Sequence, residues 1–133
     1  MKIIKYQEQY LESLNLLLQE SFKIKKKGKI SSDHIELIAV NDLEVVGYLV
    51  LNICLDAVLG IKYAYVNYVC VKEKYRGQHI ASMMFETVFS ICKEENISYL
   101  ELTSKATRVA AHHLYKKLGF EVRETTVFRK EIL

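Results

Sequence analysis

The residues best suited to chemistry form a short turn between a strand-like run and a helix-like run. The turn reads Arg76-Gly77-Gln78-His79-Ile80-Ala81. The first amides of a helix have no intrahelical partner and lie at its positive end, so they can hold a phosphate group, and a nearby arginine adds a charged donor. Glycine at the second position leaves room for a ligand because it has no side chain. The turn therefore predicts a diphosphate site whose donors are the backbone amides from Gly77 to Ser82 and the Arg76 side chain.

The elements on both sides of this turn must hold it in place. Before it, the aromatic and β-branched residues from Tyr63 to Val71 are typical of a strand. After it, apolar residues recur at spacings of four, four and three, which places them on one face of a helix: Ile80, Met84, Val88 and Ile91. The helix is expected to end near Asn96, and residues 97–102 alternate as a further strand would. Because strand, helix and strand follow one another, the two strands are expected to be parallel neighbours.

The rest of the chain adds helices and strands but no linker. Helices are predicted over residues 10–18 and 107–118, and strands over residues 2–6, 35–40, 44–51, 120–122 and 125–132. No proline, internal repeat or low-complexity tract marks a domain boundary. The sequence therefore predicts a single domain, residues 1–133, of the α/β class, with a mixed sheet and at least three helices.

Composition excludes several classes of protein. The chain has 133 residues, half of them hydrophobic, which is enough for one core and too few for two. No apolar run is long enough to cross a bilayer, and the first residues lack the apolar core of an export signal. Three cysteines without metal-type spacing fit a reducing compartment, and no cluster has zinc spacing. We therefore predict a cytoplasmic protein with no membrane partner and no metal.

Most of the formal net charge of +3 is concentrated in one short segment that contains Lys23, Lys25, Lys26, Lys27 and Lys29. The segment has few interleaved apolar residues and no recognised nucleic-acid module around it. A solvated loop is therefore favoured over a nucleic-acid arm, and no nucleic-acid partner is predicted. A third interpretation is that the loop attracts an acidic substrate.

Two segments of the chain resemble the GNAT superfamily of N-acetyltransferases. In the first, residues 71–81, Arg76 and Ala81 match the ends of the family's acetyl-CoA signature Q/R-x-x-G-x-G/A, and His79 stands where the middle glycine usually lies. The second, residues 110–120, ends in the family's L-Y-x-K-x-G-F pattern. Two such blocks together are more specific than either alone. The resemblance covers roughly residues 36–128 and implies a mixed, mostly antiparallel sheet of about six to seven strands flanked by three to four helices.

The resemblance also implies acetyl-CoA as the cosubstrate and direct attack by an amine on its thioester. It implies that the backbone amides of Val69, Cys70 and Val71 bind pantetheine. It assigns the diphosphate to the turn residues Arg76, Gly77, Gln78, His79, Ile80, Ala81 and Ser82. Tyr115 aligns with the tyrosine that usually protonates the departing sulfur, and a phenol with an ordinary pKa near 10 is protonated at neutral pH.

The general base is the position where alternatives stay open. The family often has a glutamate where this chain has Asn67, whose amide takes no proton at neutral pH but can orient an amine or a water. Substitutes are Glu101, His112 and His113, and imidazole has the most suitable ordinary pKa. The resemblance to the family's A-A-H pattern connects His112 with a pocket role, while helix packing or a surface position explains it equally well.

These features predict an acetyl-CoA-dependent N-acetyltransferase that acts on the primary amine of a small molecule. One alternative is acetylation of a protein or peptide amine, which needs an open groove. Another is a CoA-binding module without turnover, and a basic nucleic-acid binder is the remaining class. Because members of the family are often dimers, a homodimer is also an expectation.

Overall fold

The computed structural model describes residues 1–29 and 34–133, which contain five strands and three α-helices. In chain order these are β1 (Lys2–Lys5), α1 (Leu11–Phe22), β2 (His34–Asn41), β3 (Glu44–Asp56), β4 (Ile61–Val71), α2 (Ile80–Glu94), β5 (Ile97–Leu102) and α3 (Val109–Lys117). The chain divides into two compact units, residues 1–103 and residues 104–133. The first unit contains the whole sheet, and the second contains α3.

The five strands form one mixed sheet in the order β1-β2-β3-β4-β5. The first three pairs are antiparallel, and β4 and β5 are parallel. The parallel pair is connected through α2, because parallel neighbours need a crossover rather than a tight turn. Both the mixed, mostly antiparallel sheet and the strand-helix-strand unit predicted from the sequence are confirmed.

The predicted number of strands, about six to seven, is too high. Residues 120–122 and 125–132 alternate as strands do, but the structure assigns them no strand. A strand needs a backbone partner as well as an alternating sequence, and the second unit has no other strand with which this segment could pair. Sequence alternation alone therefore overestimated the number of strands in the sheet.

The two faces of the sheet are covered by different helices. On one face, Leu14 and Leu17 of α1 are fully buried in a cluster with Ile38 and Tyr48 of the sheet. On the other face, α2 lies so close to the sheet that a Cβ atom at Gly47 would be 3.0 Å from the Met84 side chain. Glycine at this position therefore sets the distance between helix and sheet.

The helix ends follow the local sequence. α1 ends at Lys23, which has φ 58, and the amide of Ile24 donates to the Leu18 carbonyl, as in a Schellman-type ending. Asn96 after α2 and Gly119 after α3 also have positive φ, a conformation that often ends helices. In the described part of the chain, no helix combines the length and apolar character that crossing a lipid bilayer requires.

Candidate functional site

A bulge in β4 interrupts the sheet beside the predicted turn. Tyr48 pairs with Cys70 and Val50 pairs with Asn67, so Tyr68 and Val69 together oppose the single residue Leu49. Tyr68 has φ 56, a left-handed conformation that is uncommon for a residue with a side chain. A bulge of this kind leaves the extra residue outside the regular ladder and bends the strand.

Beyond the bulge, the edge of β4 on the β5 side loses its partner. The last pair between the two strands is Val66 with Leu102, and residues 67–71 of β4 continue past it. Among the strands that the structure describes, none pairs with this side of residues 67–71. The predicted pantetheine residues Val69, Cys70 and Val71 therefore lie on an edge where an extended ligand with amide groups can pair as another strand would.

The turn that follows has two residues with positive φ and leads into a helix start with free amides. Gly77 has φ 81 with open space around its Cα, and His79, the residue before the helix, has φ 61. The first intrahelical bond runs from the Met83 amide to the His79 carbonyl, at 3.0 Å. The amides of the three residues between them, Ile80 to Ser82, therefore have no intrahelical acceptor. His79 keeps the backbone shape that a glycine would adopt, and its imidazole is exposed.

Arg76 stands at the entrance of this turn. Its side chain is exposed, and its Nε lies 3.4 Å from the Val71 carbonyl oxygen. This contact holds the guanidinium near the end of β4 and leaves its terminal NH₂ groups for an anion. Arginine is well suited to this role because its planar donors match two oxygens of a phosphate.

Asn67 lies on the sheet face that α1 partly covers. It is in register with Val50, which packs against the α1 cluster. Its Oδ1 accepts a hydrogen bond from Asn52 Nδ2 at 3.2 Å, and the same Asn52 nitrogen also donates to the Tyr65 carbonyl at 3.1 Å. The side-chain nitrogen of Asn67 is therefore the group with which this residue can hold an acceptor or a water.

Glu101 shares this face through Tyr65. The two residues are opposite each other on β5 and β4, and the Tyr65 hydroxyl lies 2.8 Å from the Thr103 hydroxyl. Because residues two apart on a strand point to the same side, the Glu101 carboxylate and the Asn67 amide are on one face of the sheet. His113, another residue considered as the general base, is exposed on α3.

In the second unit, Tyr115 is buried on α3 and makes an edge-to-face contact with Phe120, with ring centroids 5.9 Å apart. Burial raises the pKa of its hydroxyl, and the Arg108 charge lowers it by less. The phenol is therefore protonated at neutral pH. His112 has its Nε2 2.8 Å from the Lys105 carbonyl, so this nitrogen carries a hydrogen and Nδ1 is the one that can accept a proton.

A polar cluster that was not predicted from the sequence lies on the α1 face around Glu36 of β2, two strands from Asn67. The Tyr48 hydroxyl donates to Glu36 Oε1 at 2.5 Å, and Lys27 Nζ lies 3.2 Å from the same oxygen. Burial, followed by the hydrogen bond to Glu36 and its charge, raises the pKa of Tyr48 far above its usual value. The available signal was a charged residue inside the apolar run Ile35-Glu36-Leu37-Ile38. Within the described ranges, no group of three His, Cys, Asp or Glu side chains is arranged to hold a metal ion.

Comparison with known families and proteins gives one consistent result. A family model described as Acetyltransferase (GNAT) family matches residues 5–120. A protein of Bacillus subtilis (strain 168) described as a putative ribosomal protein bS18-alanine N-acetyltransferase is 28% identical over 85 residues, which are 64% of this chain and 52% of the relative. The matched region thus spans about half the length of that relative.

Solved structures with a similar fold cover nearly the whole chain. The ribosomal-protein-alanine N-acetyltransferase of Brucella melitensis biovar Abortus 2308 is 17% identical, with a TM-score of 0.83 and 98% of each chain covered. An aminoglycoside acetyltransferase from an uncultured soil metagenomic sample is 16% identical, with a TM-score of 0.82, covering 99% of this chain and 95% of its own. At these identities the likeness establishes the fold.

Proposed function

The chain belongs to the GNAT family of acetyltransferases, and from that premise we propose that it moves the acetyl group of acetyl-CoA to the primary amine of a small molecule. The observation that supports this most strongly is the presence of two sets of available backbone groups on one segment, residues 67–82. The first set lies along the end of β4, and the second lies at the start of α2. CoA has matching parts, because its pantetheine chain carries amides and its diphosphate carries negative charge.

In this proposal CoA is held mainly by the backbone. Pantetheine pairs with Val69, Cys70 and Val71 along the edge of β4, and the diphosphate accepts hydrogen bonds from the amides from Gly77 to Ser82, among them those of Gln78, His79, Ile80 and Ala81. Arg76 adds a charged donor beside them. The positive end of α2 favours the diphosphate for the same reason that it favours any anion.

The acetyl group moves by direct attack of the amine. The amine nitrogen forms a bond to the thioester carbonyl carbon, and the carbonyl oxygen gains negative charge. A β4 amide freed by the bulge donates to that oxygen. The carbon–sulfur bond then breaks, and the departing thiolate takes a proton from the Tyr115 hydroxyl. The attacking amine loses one proton to a base.

We assign Asn67 to orienting the amine and Glu101 to accepting its proton, directly or through one water. Support for Glu101 comes from its position on the same face of the sheet as Asn67. His112, another base candidate from the sequence, is the alternative, and in that role it would use Nδ1 because Nε2 faces the Lys105 carbonyl.

A peptide or protein amine is the second candidate acceptor. The described activity of the Bacillus subtilis relative, on an alanine of a ribosomal protein, favours it. Release of free CoA thiol is measured with small primary amines, with short peptides and with the same peptides carrying blocked N-termini. Release with small amines supports the proposal, release with unblocked peptides alone supports the second candidate, and CoA binding without release from any acceptor indicates a binding module.

A further inference from the structure

A cavity of about 260 Å³ opens at the start of β2, and Lys5, Tyr6, His34, Ile35 and Glu36 line it. The Tyr6 hydroxyl oxygen is buried and has no hydrogen-bond partner within residues 1–29 and 34–133. Native proteins rarely leave such a group unpaired. Burial, followed by the charges of Glu8 and Glu36, raises the pKa of this phenol. It is therefore a donor at neutral pH, and a ligand oxygen that enters beside the Tyr6 ring and displaces the atoms now covering the hydroxyl would supply the missing acceptor.

The charge that this cavity presents to a ligand depends on how far neighbouring groups compensate the Glu36 carboxylate. Its carboxylate already accepts from the Tyr48 hydroxyl, and it faces Lys27 Nζ at 3.2 Å and His34 Nε2 at 3.7 Å. A carboxylate compensated in this way repels an incoming anion weakly. Lys5 is exposed at the rim and makes no ion pair among the described residues. The Glu8 and Glu36 charges that raise the pKa of Tyr6 oppose an anion here, and the cations that offset them are Lys27, at Glu36 and over the Tyr6 ring, and the exposed Lys5.

Lys27 fixes the lysine segment, residues 23–29, beside the cavity. Its amide donates to Asn15 Oδ1 at 2.8 Å, and its Nζ lies 5.1 Å from the centre of the Tyr6 ring. With this residue held, the neighbouring side chains of Lys25, Lys26 and Lys29 are exposed. Lys27 is thus an anchor, and its neighbours supply positive potential near the cavity.

The register of the sheet gives the distance from this cavity to the acceptor site. Glu36 pairs with Val50, and Val50 pairs with Asn67, so Glu36 and Asn67 are two strands apart on the same face. Strands are spaced by about 4.8 Å, so the two residues are separated by about 10 Å. An extended peptide covers that distance in about three residues.

We propose that this cavity is a second acceptor subsite, which binds a carboxylate or phosphate group about 10 to 14 Å from the amine that is acetylated, between the strand of Glu36 and that of Tyr6. The inference rests on the proposed function, because it takes Asn67 as the place of the amine. Both a small anionic amine and a peptide with an acidic third residue present this chemistry. Tyr6 donates to the anion, and Lys5 and the lysine segment attract it.

The first test uses matched acceptors. One pair is an unbranched ω-amino carboxylic acid of matching span and its primary amide, and the other is a peptide with glutamate at its third position and its glutamine counterpart. We expect kcat/KM to be about tenfold higher for the anionic member, the scale of one hydrogen bond to a charged group. A preference in only one pair identifies the source of the anion, and equal values in both pairs overturn the subsite.

The second test uses matched variants. Tyr6→Phe removes one hydroxyl and should erase most of the anion preference, while Tyr10→Phe, a ring of the same core, should keep it. Lys5→Gln should raise KM for the anionic acceptors about two- to fivefold, and Lys2→Gln, on the same strand, should not. If Lys2→Gln and Lys5→Gln have equal effects, general charge rather than a subsite explains the preference.

Binding separates this inference from the proposed function. Calorimetry of the CoA-bound protein with the glutamate and glutamine peptides reports the subsite without any turnover. Tighter binding of the glutamate peptide that Tyr6→Phe abolishes supports the subsite even if no acetyl group moves. Normal acetylation with identical affinities for the two peptides leaves the proposed function standing and removes the subsite.

Discussion

The two sides of the candidate site differ in the kind of chemical group that is available for binding. On the proposed CoA side, the groups assigned to binding are backbone amides, at the end of β4 and at the start of α2. On the acceptor side they are side chains, such as Asn67 with its Asn52 partner and Glu36 with Tyr48 and Lys27. A backbone site tolerates a change of residue if the conformation is kept, as His79 shows with φ 61 at the usual glycine position. A side-chain site changes its chemistry with every substitution, so we expect acceptor specificity to reside there.

The largest effect is expected from Tyr115→Phe, which keeps the ring and removes the proton donor. If proton donation limits the rate, acetyl transfer falls by roughly two to four powers of ten, while CoA affinity stays the same because the backbone site is intact. Single-turnover kinetics and calorimetry measure the two quantities. Turnover within a factor of a few of the parent, at a pH where chemistry limits the rate, removes Tyr115 from the mechanism.

The next effect distinguishes the two base candidates. Glu101→Gln should lower kcat by about a hundredfold, the lower range for general base catalysis. His112→Gln should change it by less than a few-fold, because the ring is held to the Lys105 carbonyl. Each variant serves as the control for the other in the same assay. The reverse order of effects would move the base to His112.

A smaller effect is expected on the CoA side. Arg76→Ala removes one charged donor, but the amides of the turn remain, so CoA should bind roughly ten- to a hundredfold more weakly with the fold intact. Lys74→Ala is the matched control, because it removes a neighbouring exposed cation. Calorimetry at two salt concentrations measures both. An Arg76→Ala protein with the affinity of the parent would place the diphosphate elsewhere.

The smallest effect concerns stability at alkaline pH. The pKa of Tyr48 is raised on folding, so the folded state holds its proton above pH 10, where the unfolded chain loses it. The free energy of unfolding therefore falls as pH rises above 10, by up to about 1.4 kcal/mol per pH unit from this group. Denaturant titrations of Tyr48→Phe should show a correspondingly flatter fall than those of the parent. If the free energy of unfolding falls equally steeply with pH in the two proteins, Tyr48 does not cause the loss of stability.

The contrast between backbone groups and side-chain groups also explains which features of the protein could be predicted from the sequence. The strand-helix-strand unit depends on local signals and was predicted correctly, and α2 and α3 end within two residues of the positions expected from the sequence. The bulge at Tyr68 depends on pairing between β3 and β4, which no local pattern specifies. The Glu36 cluster joins residues from three separate segments, and the closing strands were overestimated because alternation does not supply a partner strand.

Backbone amides cannot be removed by ordinary substitutions, so the central claim is best tested by observing them. The measurement is amide NMR of the ¹⁵N-labelled protein titrated with CoA. The account predicts one binding site and the largest shift changes at residues 69–71 and 77–82. Saturable binding with its largest changes outside both segments, or no binding, would contradict it.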